Sequence, residues 1–166
     1  MYSRVKHRRR DPSVYVGRMP TQYVAGFLFH PQLQRVALIR KARPQWMAGK
    51  LNAIGGHIEP GEDSLKAMIR EFKEEAGLSI SYWKRFAVLS GANNGGWSVD
   101  WFWARIDYEV ELQSKTDEVV AWYEIQHIPG TWSVVSNLPW LLLMALNDMQ
   151  EKDACSLFRI EEAERY

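Results

Sequence analysis

Residues 55 to 78 read GGHIEPGEDSLKAMIREFKEEAGL, a glycine-rich turn that runs straight into a helix-forming stretch and closes on another glycine. This segment constrains the fold most, because its apolar residues fit helical periodicity in a single register. Leu65, Met68, Ile69 and Phe72 follow the 3, 4, 7 spacing of a buried stripe. Asp63 or Ser64 can cap the start, and Gly77 suits the left-handed position that ends a helix. In that register Glu71, Glu74 and Glu75 stand at i, i+3 and i+4 on another part of the circumference. Like charges so spaced oppose the helix by roughly 0.2–0.5 kcal/mol per pair. A hard cation such as Mg²⁺, bound through carboxylates, carbonyls and phosphates, reverses that penalty. As a bare pattern, a solvated helix face is the better account of the cluster.

The surrounding sequence predicts strands at 23–29, 35–40, 51–54, 83–89, 97–106 and 119–124, with a turn around His30-Pro31-Gln32. Trp97, Val99, Trp101 and Trp103 alternate, as on one packed sheet face. A second helix is expected over 139–149, and 157–160 fits either helix or strand. Helices interleaved with strands predict an α/β fold with a sheet covered on both faces. A length of 166 residues suits one domain, expected over 19–166. Residues 1–18 form a basic arm with six cationic residues against Asp11, leaving the remainder at a net −4. Such an arm can bind RNA through phosphates or simply be a solvated terminus. No apolar run approaches the ~20 residues that span a bilayer. With no secretory signal visible and a single cysteine, Cys155, the expectation is a cytoplasmic chain without an internal disulfide or membrane partner.

Gly56, then Glu62, then Arg70-Glu71-Phe72-Lys73-Glu74-Glu75-Ala76-Gly77-Leu78 resembles the Nudix box at every specified position. Met47-Ala48-Gly49-Lys50-Leu51 extends the likeness upstream in a MutT-like manner. The resemblance implies the Nudix fold, a mixed, curved sheet in an α/β/α sandwich. It implies a hydrolase that cleaves phosphoanhydrides with Mg²⁺, or Mn²⁺ in its place. Glu71 and Glu75 would then be metal ligands, with Glu74 close by, a carbonyl ligand at Gly55 and a further acid from a later loop. Glu118 is the first candidate for that acid and Asp117 the second. Arg70 would pair with Glu62 and hold the loop to the helix, while Gly56, Glu62 and Gly77 serve the motif's structure.

For substrate, Lys41 falls where the MutT-like pattern expects a phosphate-binding cation, and Arg40 is its neighbour. Asn52 and Asn137 carry amides able to read a base edge, although Asn137 before a helix is equally an ordinary cap. Trp46 can stack on a base or cover the core. The leading expectation is a nucleoside triphosphate, possibly modified or oxidised, cleaved to monophosphate and pyrophosphate. Nucleoside-diphosphate-linked compounds and capped RNA ends are alternatives, and a non-catalytic nucleotide sensor is the reading from another class. The chain departs from the pattern at Ile54, where proline often precedes the paired glycines, and Val134-Val135 offer no acidic base-reading group. Oligomeric state leaves no mark in the sequence.

Overall fold

The computed structural model describes residues 20–92, 96–131, 133–150 and 157–162, so the basic arm and Cys155 lie outside the described residues. These residues form strands β1 (Thr21–His30), β2 (Arg35–Arg40), β3 (Leu51–Asn52), β4 (Lys84–Gly91), β5 (Trp97–Arg105), β6 (Val119–Glu124) and β7 (Phe158–Glu162). Helices α1 (Ser64–Ala76), the one-turn α2 (Ile128–Thr131) and α3 (Leu138–Gln150) accompany them. The strands join one sheet in the order β3-β2-β1-β5-β4-β7, with β6 paired to β2. It is mixed: β1·β5 and β4·β7 are parallel, and the other pairs are antiparallel. The ambiguous 157–160 stretch is therefore strand, recruited beside β4.

Period-two alternation sends side chains to two cores. Ala25, Phe27 and Phe29 of β1 join the core beneath α3, whose Leu138, Leu141, Leu142 and Ala145 seal it. Val24 and Leu28 face the other core, covered by α1. The fold is the α/β/α sandwich expected. Trp97, Val99, Trp101 and Trp103 all meet the α3-side core, so the tryptophan stripe is packing. Asp148 fastens α3 to that face: Trp103 Nε1 donates to its Oδ2 at 2.7 Å, and Lys84 Nζ lies 2.9 Å from the same oxygen.

One expectation needs correcting. Leu65 is 40 % exposed and does not belong to the buried stripe of α1, which runs through Ala67, Met68, Phe72 and Ala76. Leu65 lies in the first turn, ahead of the residues that pack.

The feature that shapes the site is a parting between β1 and β2. They pair directly only at Leu28↔Ala37, Phe29↔Val36 and His30↔Arg35. Beyond that, residues 51–58 enter the gap. Leu51 and Asn52 pair with Arg40 and Ile39 of β2. Gly26 N then donates to Ile54 O at 2.8 Å and Ile54 N returns a bond to Gly26 O at 3.3 Å. Proline lacks that N–H, so Ile54 gains a bond that the commoner residue forfeits. Val24 N to Gly56 O and Ile58 N to Gln22 O, each 2.9 Å, complete the crossing. At Gly55 an added Cβ would meet Val24 O at 2.1 Å, which only glycine avoids. Gly26 lets α1 come equally close, since a Cβ there would strike Met68 Sδ at 2.7 Å.

Phe72 is fully buried, with its ring centroid 5.0 Å from that of Trp83. Phe72→Ala is expected to cost about 3–5 kcal/mol in a urea titration. Leu65→Ala should stay within about 0.5 kcal/mol. Equal losses from the two would contradict this packing.

Candidate active site

The caps of α1 set the phase of everything it carries. Asp63 accepts the N–H of Lys66 at 2.9 Å. At the other end Gly77, with φ 70°, donates to Lys73 O. Between these stops the three glutamates separate. Glu74 points outward with its side chain 57 % exposed, whereas Glu71 is 14 % exposed and Glu75 is half-buried. The inner two meet the paired glycines. Gly55 N donates to Glu75 Oε2 at 3.1 Å. A Cβ on Gly56 would sit 2.4 Å from Glu71 Oε2, so the bare backbone makes room for that carboxylate.

Arg70 ties the loop to the helix, as its place in the motif suggested. Its Nε and Nη2 donate to the two oxygens of Glu62 at 3.0 and 2.8 Å, and Nη2 also reaches His57 O at 2.9 Å. Nη1 holds Glu71 at 2.8 Å and Glu74 at 3.1 Å. This fork is the strong, geometrically specific form of ion pair. It holds the Glu62 carboxyl below its usual range and raises the guanidinium's own pKa. Glu75 goes the other way. Burial pushes its carboxyl up to about 7, the charges of Glu71 and Glu118 add to this, and Lys41 and the Gly55 N–H oppose it.

Lys41 and Glu118 arrive from the opposite edge. The β2·β6 ladder ends at Arg40↔Val119, and these two residues occupy the next rung. Lys41 Nζ lies 2.5 Å from Glu118 Oε2, while Ala42 N and Arg43 N donate to Oε1 at 2.6 and 3.3 Å. Burial alone would raise the Glu118 carboxyl, but these donors outweigh it and hold the group below its usual range. Asp117 turns outward to an exposed pair with Arg43. Arg40 donates to Gly49 O at 2.8 Å and tethers the 41–50 loop. The sequence singled out Lys41 and Glu118 for separate duties; their pairing needs the strand register, which spacing alone does not give. The backbone donors of Ala42 and Arg43 carried no sequence signal at all.

Asn52 and Asn137 lie on neighbouring segments, because Leu51 N donates to Ser133 O at 2.8 Å and Val135 N to Leu51 O at 3.0 Å. The side-chain oxygen of each is buried and has no hydrogen-bond partner among the described residues. Asn137 takes part in the first turn of α3 through its main-chain carbonyl, which accepts Leu141 N at 3.2 Å. Its side-chain oxygen does not cap. Trp46 is 63 % exposed and so covers no core. The His57 ring packs against Tyr23, with centroids 4.4 Å apart.

Among the described residues no three His, Cys, Asp or Glu side chains already stand together as an ion cage. Arg70 occupies Glu71 and Glu74, and Lys41 occupies Glu118. The donor chemistry nevertheless fits a hard divalent ion. It consists of carboxylates beside a glycine backbone, and the half-buried Glu75 stays costly to ionise even with Lys41 and the Gly55 N–H acting on it, a cost that a further positive charge would offset.

Comparison with known proteins identifies the family. A family model described as the NUDIX domain matches residues 19–141, so the chain belongs to the Nudix family. It is a MutT-like pyrophosphohydrolase. Over 90 residues it is 30% identical to the 8-oxo-dGTP diphosphatase of Escherichia coli, covering 54% of this chain and 70% of that one. The MutT Nudix hydrolase of Burkholderia pseudomallei superposes with a TM-score of 0.64 at 20% identity, over 76% of this chain and 98% of that one. The Nudix domain of Shewanella oneidensis NrtR, crystallised with ADP ribose, gives 0.67 at 16% identity, over 85% and 94%. At these identities the structural likenesses concern the fold.

Glu75 generates a pH prediction. Its folded-state pKa of about 7 exceeds the ordinary 4.5, so the native protein keeps a proton that the unfolded chain releases. Stability therefore falls as pH rises through that window. In chelator, wild type is expected to lose up to about 3 kcal/mol relative to Glu75→Gln between roughly pH 5 and pH 8. Parallel stability curves for the two proteins would refute the raised pKa of this carboxylate.

Proposed function

We propose that this chain hydrolyses nucleoside triphosphates to nucleoside monophosphate and pyrophosphate, using Mg²⁺ or, in its place, Mn²⁺. The observation that carries this reading is the seating of Glu71 and Glu75 against Gly56 and Gly55, which brings two carboxylates to a glycine backbone. A phosphoanhydride resists water because the attacking oxygen approaches an already anionic phosphorus. When bound, the ion would neutralise phosphate oxygens and lower the pKa of a water. Glu71, Glu74, Glu75 and the Gly55 carbonyl are the groups to hold it. Arg70 keeps Glu71 and Glu74 aligned with the loop through its fork to Glu62. Lys41 contributes a cation for the phosphates.

The nucleoside end falls to Asn52 and Asn137. Their amides can both donate and accept toward a base edge. The Escherichia coli relative, named for a purine deoxynucleoside triphosphate, supports a triphosphate over a diphosphate-linked substrate. A panel of nucleoside triphosphates, ADP ribose and capped RNA with Mg²⁺, with both products identified, tests the assignment. Monophosphate plus pyrophosphate from a triphosphate is the expected result. Turnover of ADP ribose or capped RNA alone would reassign the substrate, and a ligand-dependent thermal shift with no product would make the chain a binding module.

Two variants sharpen the test. Glu75→Gln should lower kcat by orders of magnitude and retain the fold, because the amide keeps the shape but is a poor metal ligand. Full activity in this variant, or wild-type turnover in excess chelator, would remove the metal from the reaction. Asn137→Ala should flatten kcat/KM differences among bases by about 1–3 kcal/mol. An unchanged base preference would take Asn137 out of the site.

A further inference from the structure

The outer edge of β6 is open at one rung, beside two acids that no cation holds. Among the described residues β6 pairs only with β2. In an antiparallel ladder the main-chain groups of alternate residues point away from the partner strand. Val120 shows which ones do: its N–H donates to Ser114 Oγ at 2.9 Å, and its carbonyl accepts from the same hydroxyl at 3.4 Å. That side chain closes one rung of the edge. Trp122, two residues on, points the same way, and among the described residues nothing bonds its main-chain N–H or carbonyl. Beside it a groove of about 530 Å³ runs between Ala121-Trp122 and Glu109-Val110-Glu111-Leu112. Val110, Leu112 and Trp122 pack against the α1-side core, and Trp122 Nε1 donates to Val110 O at 3.4 Å. Glu109 and Glu111 stay exposed, and no cation among the described residues pairs with either.

An open main-chain rung beside a groove suits an extended peptide, which bonds to the strand through its backbone. Two carboxylates two residues apart select cations of the same spacing. The basic arm supplies them. Arg4, Lys6, Arg8 and Arg10 recur at every second position, the period at which an extended chain turns side chains to one side. The reach suffices. Thr21 N donates to Gly96 O at 3.2 Å and fixes where the arm joins the sheet. Trp122 pairs with Ala37, and Ala37 with Leu28. It therefore stands two strands across and seven residues along from Thr21, about 25 Å away. Residues 11–20 span up to about 33 Å when extended.

We propose that residues 4–10 dock as an added strand on the outer edge of β6, with their cations against Glu109 and Glu111. This assigns the basic arm to its own domain rather than to RNA.

Limited proteolysis of the full chain tests the assignment. Trypsin cleavage after Arg8, Arg9 and Arg10 is followed by mass spectrometry and compared with that of a synthetic peptide of residues 1–18. Wild type is expected to be cut about tenfold more slowly than the peptide. Glu109→Lys/Glu111→Lys should restore most of the peptide's rate. Glu161→Lys/Glu162→Lys reverses two exposed acids on β7, at the opposite edge of the sheet, and should leave the protection in place. An unchanged melting temperature shows that each variant is folded. Should charge reversal unfold the domain, Glu109→Gln/Glu111→Gln replaces it, with a smaller loss of protection expected. Wild-type cleavage at the peptide's rate, equal loss of protection in the two charge-reversed proteins, or protection that appears only when RNA is added would each overturn the proposal.

Discussion

The molecule is organised around a backbone that passes between two parting strands. β1 and β2 begin as an ordinary antiparallel pair and then separate, and residues 51–58 bond first to one and then to the other. That crossing puts Gly55 and Gly56 inside the sheet's own plane of hydrogen bonding, with no room for a side chain. Backbone groups are obligatory hydrogen-bonding partners, so the crossing cannot drift without breaking bonds to both strands. α1 must lie close over it, which the bare backbone of Gly26 allows. The position of two carboxylates is therefore set by main-chain geometry rather than by side-chain packing.

Charge is distributed to suit. Five acidic groups converge on this end of the fold, and two cations divide them: Arg70 takes Glu62, Glu71 and Glu74, while Lys41 takes Glu118. Glu75 is left with the field of Lys41 and a single backbone N–H, in a half-buried setting. One carboxylate in the group is thus held at higher free energy than its neighbours. A local cost of this kind is what a functional site retains and a purely structural one sheds.

Much of this was legible in the sequence because the local signals agree with one another. Asp63, the apolar spacing and Gly77 fix the motif helix independently, and the structure uses all three. Alternation in 97–103 likewise gave the packed tryptophan face. What could not be read depends on contacts between distant segments. Leu65 matches the helical stripe but lies ahead of the packed stretch, which periodicity cannot know. The three glutamates share a helical face by spacing, yet Glu74 falls to the solvent side once the sheet is in place. The partnership of Lys41 with Glu118 spans 77 residues and exists only through strand register.

The family's matched region ends at residue 141, inside α3. Past that point the chain still supplies Leu142 and Ala145 to the core, and Asp148 to Trp103 and Lys84. It then returns as β7 to cover the edge of β4 with a parallel strand. The stretch that the family model matches is therefore shorter than the unit that folds. A fragment trimmed to the recognisable homology would keep every motif residue, yet it would bare the α3-side core and an unpaired sheet edge, the kind of surface on which chains self-associate.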